Sequence, residues 1–554
     1  RDFAYTYSLS KDFAPAFSAF KFAQVSAYIQ DEIAVNKQFR LTVGLRVDQP
    51  SYPSVPQVLT HPLVAGLTFA NGRNVNTGTL PSKKLMWSPR VGFNWDLYGD
   101  RSLQIRGGTG IFTGKIPFVW IVSQSGDNGL LQVTQSFNGL ANNVNRPFNP
   151  DPRAYYPATV PAAGTIVPST VTALDENFRN PQSWKSSLAI DTKLPWGMVA
   201  TVEALYTKDL NTAFFDNVNL VTPTALNVAG YPDNRVIYPV SNTQKYINPL
   251  TNGGVPSTTG TAAFNPIVIR NEKMGYYFSI TGKIEKPLSN GFTASIAYTK
   301  SIADNLSDGG GDQPLSAWQG TPAVNSANTP TLGYANYVVP DNVVAFLSYR
   351  KEYIKHLATT ISVFYNGSIG GRFSYVYGAD FNRDGVSNND LIYIPKDATN
   401  TSEIRFVSQT ISGVTYTPAE QGQLFENYIK QDKYLIKYRG QYAERNGTLI
   451  PWRSQVDIKF VQEIFVKTGK NKNALQFTLD IFNFGNLINS DWGKSKTINA
   501  SSILIPTNPT SLVAGGTVVP TFRLAASQGA PVTNTFRDNV SVFSTYSMQF
   551  GLRY

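Results

Sequence analysis

The sequence contains no cysteine and only two histidines, His61 and His356. Without cysteine there are no disulfides and no thiolate metal ligands, and the two histidines stand too far apart for an HExxH zinc motif. No G-x-S-x-G segment marks a nucleophilic serine. Since these absences remove many enzyme classes, the sequence predicts a protein without enzymatic activity and without a cofactor, apart from one candidate calcium loop described below.

Charge and long apolar runs are also scarce. Charged residues make up 15% of the 554 positions, against ~25% in soluble domains, and no apolar run approaches the ~20 residues of a transmembrane helix. The net charge is +11, but the basic residues are scattered and no nucleic-acid-binding motif accompanies them. The sequence therefore excludes a helical membrane protein, predicts no nucleic-acid partner, and favours attraction to an anionic membrane surface.

The most glycine-rich stretch is LQIRGGTGIFTGKIPFVW, residues 103–120. A phosphate-binding P-loop requires Ser or Thr after its Gly-Lys pair, and Lys115 is followed by Ile116. The stretch instead alternates with a period of two, which is typical of a strand. One face would carry Leu103, Ile105 and Ile111 toward lipid, and the other would carry Gln104 and Arg106 toward a polar interior.

Segments of about ten residues with the same alternation recur along the chain. They form hairpins with short turns, and long connections rich in Asn, Gly, Pro, Ser and Thr separate one hairpin from the next. The thirteen principal segments lie at 21–35, 39–48, 85–98, 102–114, 183–194, 198–210, 275–288, 291–302, 341–353, 357–369, 452–466, 474–484 and 542–554.

Short turns that alternate with loops of tens of residues are typical of outer-membrane β-barrels. A soluble sandwich or propeller rarely contains so many long loops, and a tilted strand of ~9 to 11 residues spans the hydrocarbon core. The sequence therefore predicts an all-β fold, a transmembrane antiparallel β-barrel with short periplasmic turns and long extracellular loops. Its expected location is the bacterial outer membrane, in contact with lipid and lipopolysaccharide.

The strand count predicts that these thirteen strands do not close a barrel alone. An odd set of antiparallel strands begins and ends in the same direction, so its two edges cannot pair in the usual alternation. Residues 1–554 are therefore expected to be one partial barrel domain whose remaining strands lie on the N-terminal side. One alternative is that the remaining strands belong to a separate polypeptide. Another is that a fourteenth strand, hidden in TFRLAA at residues 521–526, permits an independent barrel.

The C terminus and several longer stretches carry a family resemblance. Tyr546, Met548, Phe550, Leu552 and Tyr554 alternate with small or polar residues, which resembles the insertion signal of outer-membrane proteins. The stretches at 103–120, FNRDGVSNNDLIYIP, YRGQYAERNGTLIPW, LDIFNFGNLINSDWG and the AYIQDE…LTVGLRVD hairpin resemble the Oar-like branch of TonB-dependent receptors, typical of Bacteroidota. The resemblance covers nearly the whole chain.

The resemblance implies a 22-stranded barrel of which this chain supplies the C-terminal ~13 strands. It also implies an N-terminal plug and a TonB box that couples the receptor to the TonB-ExbB-ExbD motor, and a surface lipoprotein lid or another protein is a further partner that it would allow. In such a barrel Arg106 would face the lumen, and Phe118 and Trp120 would lie at the extracellular end. The two aromatic residues would either join the interface girdle or contact ligand.

One stretch has the spacing of a calcium loop. In DFNRDGVSNND, residues 380–390, Asp380, Asn382 and Asp384 stand at positions 1, 3 and 5 of an EF-hand-type loop, the Val386 carbonyl at 7 and Asn388 at 9,. Position 12 is Leu391 where a glutamate is expected, and Asp390 is one residue early. The alternative interpretation is a turn in which Asn and Asp side chains bind backbone without an ion.

Three functions are consistent with these features of the sequence. The first is a TonB-dependent receptor that captures a bulky ligand, such as a peptide, protein fragment or glycan, in its long loops for energised import. The second is an adhesion or secretion-associated surface protein that uses the same loops without import. The third, a passive porin, is less favoured because the long loops and lumen glycines indicate a capped barrel.

Overall fold

The computed structural model describes residues 3–137, 149–309, 313–469 and 471–554. One large antiparallel sheet dominates it, and its thirteen principal strands pair in chain order, which confirms the predicted number and sequence of strands. They are β1 (Lys21–Ala34), β2 (Phe39–Ser54), β3 (Met86–Asp96), β4 (Leu103–Thr113), β5 (Gln182–Leu194), β6 (Met198–Asn217), β7 (Tyr276–Ser289), β8 (Phe292–Asn305), β9 (Asp341–Tyr353), β10 (Leu357–Ser368), β11 (Arg453–Thr468), β12 (Asn471–Phe482) and β13 (Ser547–Arg553).

Tight turns join the strands of each hairpin at one end of the sheet. Between β7 and β8 only Asn290 and Gly291 intervene, and both have positive φ, 52° and 80°. An Asn-Gly pair in this conformation forms the turn whose twist matches the strands it joins. A side chain at Gly291 would collide with the Arg350 carbonyl of the neighbouring strand β9. These local preferences determine the pairing register at this end.

The sheet has one apolar face and one polar face. Leu103, Ile105 and Ile111 share a side of β4, and Ile105 stands opposite Trp95 of β3 and Ile190 of β5. Large apolar side chains of this face remain exposed across the sheet, among them Leu188, Ile190, Val202, Ile284, Ile296, Leu347 and Ile361. Gln104 and Arg106 lie on the opposite face, as the period-two pattern predicted.

Aromatic side chains stand at both ends of the apolar face. The row near the long loops includes Trp87, Trp184, Tyr206 and Tyr298, and the row near the tight turns includes Trp95, Trp196, Phe292 and Tyr349. Amphipathic rings of this kind prefer the boundary between hydrocarbon and water. The two rows therefore delimit the apolar band that a membrane would cover.

The two edges of the sheet are open. Within the described residues, β1 pairs only with β2 and β13 pairs only with β12. Because every neighbouring pair on the path is antiparallel, β1 and β13 run in the same direction. The proposed fourteenth strand at 521–526 is not part of this sheet, because Thr521–Leu524 pairs with Leu504–Pro506 and Arg405–Phe406 in a small separate sheet.

The long connections fold into a packed lobe with its own hydrophobic cores, which their polar, glycine-rich sequences did not predict. Buried side chains such as Tyr375, Tyr377, Phe425 and Phe522 form the largest of these cores. The α-helices are α1 (Pro62–Ala65), α2 (Val119–Gly126), α3 (Asn242–Lys245), α4 (Pro314–Gln319), α5 (Pro418–Gln431), α6 (Lys433–Lys437) and α7 (Phe484–Ile488). None of the helices in the described residues is long and apolar enough to cross a membrane.

Short strands and 3₁₀ turns make up the remaining regular structure of the described residues. Most of them lie in the lobe, whereas Pro195–Gly197 is the tight turn between β5 and β6. The short strands are Phe3–Ser8, Gln132–Phe137, Thr170–Leu174, Thr224–Ala225, Val236–Ile237, Asn265–Glu272, Gly333–Tyr334, Arg372–Phe373, Tyr393–Ile394, Arg405–Phe406, Gln409–Ile411, Val414–Tyr416, Gln441–Tyr442, Thr448–Leu449, Lys496–Ile498, Leu504–Pro506, Thr521–Leu524, Ala526–Ser527, Ala530–Pro531 and Phe536–Asp538. The 3₁₀ turns are Lys11–Phe13, Ala70–Gly72, Pro152–Tyr155, Pro195–Gly197, Pro509–Ser511 and Val542–Ser544.

The assignment of the apolar and polar faces can be tested by placing the same charge at two adjacent residues. Leu188→Arg places a charge on the apolar face in the middle of β5, and we expect it to lower the free energy of unfolding by about 2 to 4 kcal/mol. Ser187→Arg places the same charge on the polar face and should cost less than ~1 kcal/mol. Guanidinium titration of the two variants in lipid vesicles measures the difference. Equal losses would contradict the assignment of the faces.

Candidate functional site

Ion pairs cover the polar face of the sheet. Arg106 Nε lies 2.9 Å from Asp191 Oδ2 of β5, and its Nη2 lies 3.3 Å from Glu203 Oε2 of β6. Farther along the sheet, Arg350 Nη2 lies 3.0 Å from Glu463 Oε2. Arg106 was predicted as a ligand contact, and its side chain is 41% exposed but already bound to two carboxylates. Its role in ligand binding stays a prediction.

A cavity of about 500 Å³ lies on the polar face and is lined by Gly108, two residues along β4 from Arg106. Arg90 and Lys185 approach the Phe112 ring from two strands, with their charged groups 5.8 and 5.7 Å from its centre. Gly108 lines this cavity and, having no side chain, leaves space on the polar face. Sequence reasoning missed Arg90 and Lys185, because their approach depends on the pairing of β3, β4 and β5.

Phe118 and Trp120 lie at the start of α2. The Phe118 ring contacts Phe22, with 5.0 Å between ring centres, and Trp120 packs edge-on against Phe215 at 5.4 Å. Trp120 is therefore partly engaged in the core of the lobe, whereas Phe118 stays 40% exposed. Both rings thus belong to the packing of the lobe, and their contact with ligand stays a prediction.

A larger cavity of about 630 Å³ lies where the ends of β7 and β8 meet the lobe. Tyr334, Tyr442 and Arg445 line it together with Asp304 and Glu444. Arg445 is 5% exposed, donates to the Leu306 carbonyl, and has its pKa lowered by burial. The cavity thus offers aromatic rings, carboxylates and a guanidinium to a ligand.

A buried arginine lies at the centre of the lobe. Arg235 has no exposed surface; its Nε lies 3.0 Å from Asp233 Oδ1 and its Nη1 lies 3.9 Å from Asp390 Oδ1. Its guanidinium also stacks 4.8 Å from the ring centres of both Tyr377 and Phe381. Buried charges are stable only when they are paired, so this cluster requires that distant segments of the lobe come together.

The candidate calcium loop, residues 380–390, contributes Phe381 and Asp390 to this cluster. Asp380 Oδ2 accepts the Gly385 N–H at 2.9 Å, Asn382 Oδ1 accepts the Asp384 N–H at 2.8 Å, and Asp384 Oδ1 accepts the Val386 N–H at 2.9 Å. Gly385 has φ 97° at the sharp turn. The loop therefore contains the Asn and Asp turns of the alternative interpretation.

Burial and like charge act on the loop's carboxyl groups. Burial, and next the charge of Asp380, raise the pKa of Asp384 to about 7. Burial also raises the pKa of Asp380, and Asp380 Oδ1 is buried without a hydrogen-bond partner. Lys245, whose own pKa is lowered by burial, is a nearby cation on which both carboxyls act. Burial thus opposes ionisation of both carboxyl groups, and a divalent cation bound between them would offset this cost.

The remaining predicted ligands are engaged with the protein. Asp390 Oδ2 accepts the Phe381 N–H at 2.8 Å, and its other oxygen faces Arg235. Asn388 Oδ1 accepts the Ser502 hydroxyl at 3.2 Å, and Val386 is packed in a hydrophobic core. In the part of the chain that the structure describes, no group of three acidic or histidine side chains is arranged to hold a metal ion.

The C-terminal residues occupy the apolar face of edge strand β13. Met548, Phe550 and Leu552 stand opposite Ile481, Leu479 and Phe477 of β12. Phe550 and Leu552 are 77% and 67% exposed, and Tyr546 and Tyr554 are exposed as well. The alternation is thus as expected, and the role of these five residues as an insertion signal stays a prediction.

Comparisons with known proteins agree with this geometry. The model of a family described as the outer membrane beta barrel domain matches residues 3–505. No curated protein matches the chain.

Several solved structures are similar at low identity. They include the outer membrane transporter YddB from Escherichia coli (11% identity, TM-score 0.41) and the ferric enterobactin receptor PfeA from Pseudomonas aeruginosa (10%, 0.39), each covering 96% of this chain and 45% of that chain. The siderophore receptor PirA from Acinetobacter baumannii (9%, 0.39) covers 84% of this chain and 42% of that one. The chain thus spans less than half the length of these structures.

The end of α2 carries a pH-sensitive group outside the sheet. Burial raises the pKa of Asp127 to about 6, and the Thr172 hydroxyl opposes this only weakly from 3.5 Å. Because the unfolded carboxyl ionises near its ordinary value of 3.8, stability should fall as the pH rises from about 4 to 6, by on the order of 1 to 3 kcal/mol. Asp127→Asn should remove this fall and raise the melting temperature at pH 7. Thermal unfolding of the wild type and the variant in detergent between pH 4 and 7.5 tests both expectations. Identical pH profiles of the two proteins would contradict them.

Proposed function

Because the chain belongs to the outer membrane β-barrel domain family, we propose that it forms part of the barrel of a TonB-dependent receptor. The protein lies in the outer membrane, with its apolar face toward lipid and its long loops outside. In the proposed function the loop lobe binds a bulky ligand, such as a peptide, a protein fragment or a glycan, for energised import. The Oar-like branch typical of Bacteroidota is the proposed subfamily.

The packed lobe is the observation that supports a receptor. Its cores bury aromatic side chains contributed by separate loops, and the cavity at Tyr334 and Tyr442 lies between the lobe and the strand ends. A passive porin needs an open aqueous passage and gains nothing from so much ordered loop structure, whereas a receptor needs a preformed surface of this kind. No covalent chemistry is part of the proposal.

The polar face supports the same function. Its paired charges, such as Arg106 with Asp191 and Glu203, suit a lumen filled by a plug or crossed by a polar ligand. The open edges at β1 and β13 would each expose unpaired N–H and C=O groups in hydrocarbon, which costs several kcal/mol per group. We propose that further strands close this sheet, and that a plug and a TonB box couple the receptor to TonB-ExbB-ExbD.

Import and surface binding can be separated without knowing the ligand in advance. Cells that display the full-length protein are incubated with mixed peptides or glycans, and depletion of each component from the medium is measured with and without a proton-motive-force uncoupler. We expect at least one component to be depleted beyond one molecule per receptor, and the excess to disappear with uncoupler, because import consumes the inner-membrane gradient.

Cells without the protein provide the control for unspecific loss. If depletion saturates at one molecule per receptor and is the same with and without uncoupler, the protein is instead an adhesion or secretion-associated protein. Steady open-channel conductance of the purified protein in a planar bilayer would identify a porin. Either result would overturn the proposed import.

We also propose that the 380–390 loop binds Ca²⁺ through Asp380, Asn382, Asp384, Asn388 and the Val386 carbonyl, with Asp390 as a further candidate ligand. The raised pKa of Asp384 and the unpartnered oxygen of Asp380 support a cation at this loop. Binding would require these oxygens to exchange their present hydrogen bonds for ion contacts at ~2.3 to 2.6 Å.

The calcium proposal predicts how the stability of the wild type and of an Asp384 variant changes with and without calcium. At pH 7.5, Ca²⁺ at about 100 times its Kd should stabilise the wild-type protein by about 2.7 kcal/mol. Asp384→Asn should remove this response and, without calcium, should be at least as stable as the wild type because it removes a buried charge. Thermal unfolding with Ca²⁺ or with chelator measures both. If calcium has no effect on the wild type, the loop is a turn without an ion.

A further inference from the structure

A groove of about 760 Å³ lies on the outer side of the protein, where the apolar face ends and the lobe begins. We call it the rim groove. Lys300, Arg372, Lys433, Lys437, Tyr438 and Trp452 are the lining residues that matter here. Ile302 and Ile369 also line it, so apolar surface continues into the groove.

The rim groove stands at the height of the lipid headgroups. Lys300 shares the apolar face of β8 with Tyr298 and lies two residues closer to the lobe. Tyr298 is 46% exposed, and Trp452, directly before β11, is 43% exposed. Exposed tyrosine and tryptophan mark the boundary between hydrocarbon and headgroups, so a side chain just beyond them faces the headgroup layer.

The groove carries an excess of positive charge. Its two carboxylates are already engaged: Asp341 Oδ2 lies 2.8 Å from Lys300 Nζ, and the buried Asp432 accepts the hydroxyls of Tyr375 and Thr535 at 2.7 Å. Among the described residues, Arg372, Lys433 and Lys437 have no carboxylate within 4.0 Å. Three cations of the groove thus lack a direct carboxylate partner, although Asp304 and Glu444 act on Arg372 from a longer distance.

The three cations converge from two elements. Lys433 and Lys437 are one turn apart on α6 and therefore share a face,, and both are exposed. Arg372 stacks 4.3 Å from the centre of the Tyr334 ring and donates one N–H to the Asn446 carbonyl at 2.9 Å. Its Nε is buried without a hydrogen-bond partner. An anion with several oxygen atoms would satisfy this arrangement.

We propose that the rim groove binds the phosphorylated headgroup of an outer-leaflet lipid, with the acyl chains lying along the apolar face below it. Basic pockets beside membrane-spanning elements bind anionic headgroups through charge and proximity. A lipid fits better than a free phosphate because the groove joins the cations to apolar surface at Ile302 and Ile369. The inference rests on membership of the outer-membrane family and does not depend on import.

The test uses the delipidated full-length protein in a neutral detergent and labelled bis-phosphorylated lipid A as the probe. Lys433→Gln/Lys437→Gln removes two cations of the groove, and we expect its affinity for the probe to fall roughly tenfold or more. Lys351→Gln/Lys355→Gln is the matched control, because it removes two exposed lysines at the tight-turn end of the sheet. Its affinity should equal that of the wild type.

Two further measurements distinguish a lipid headgroup from a free phosphate. Dephosphorylated lipid A should bind the wild type no better than the phosphorylated probe binds the Lys433/Lys437 variant, and inorganic phosphate at the probe's concentration should not displace the probe. Heat-modifiable mobility on gels verifies that each variant is folded. An unchanged affinity in the Lys433/Lys437 variant, an equal loss in the control variant, or displacement by inorganic phosphate would overturn the proposal.

Discussion

The structure depends on one constraint, the need to pair every backbone N–H and C=O group inside hydrocarbon. An antiparallel sheet meets this constraint with bonds between neighbouring strands, and its alternation places apolar side chains on one face and polar ones on the other. Ile105 and Arg106, adjacent in sequence, consequently face lipid and interior. The open edges at β1 and β13 are where the constraint is not met within the described residues, and this is why we propose further strands.

The same alternation separates two kinds of electrostatics. On the polar face, Arg106 meets Asp191 of the neighbouring strand β5, and Arg350 of β9 meets Glu463 of β11, two strands away. These pairs keep charge away from lipid and maintain a polar interior. On the apolar face, ionic groups such as Lys300 with Asp341 lie at the outer boundary. Charge is tolerated there because the headgroup layer is polar. The cations of the rim groove lie at the same boundary, where we propose that they bind a lipid headgroup.

The lobe is held together by a different principle. Arg235 has no access to water, so Asp233, Asp390 and the rings around it must all be in place before its charge is compensated. This couples loops that are far apart in sequence, because the cluster joins residues 233–235 to residues 377–390. Phe381 and Asp390 of the calcium loop belong to this cluster. An ion at Asp380 and Asp384 would therefore bind next to residues that hold the lobe together.

The sequence by itself determined the thirteen strands, their faces and the tight turns, because a period of two and an Asn-Gly turn are local properties that each segment carries alone. The sequence also placed Arg106 on the polar face and showed the calcium-loop spacing of the acidic residues at 380–390. Only the tertiary structure decided that Thr521–Leu524 belongs to the lobe, that Arg90 and Lys185 share the Phe112 ring, and that Arg372 stands near Lys433 and Lys437. These arrangements join residues from distant loops, and long-range packing between polar, glycine-rich segments leaves no periodic signal in any one of them.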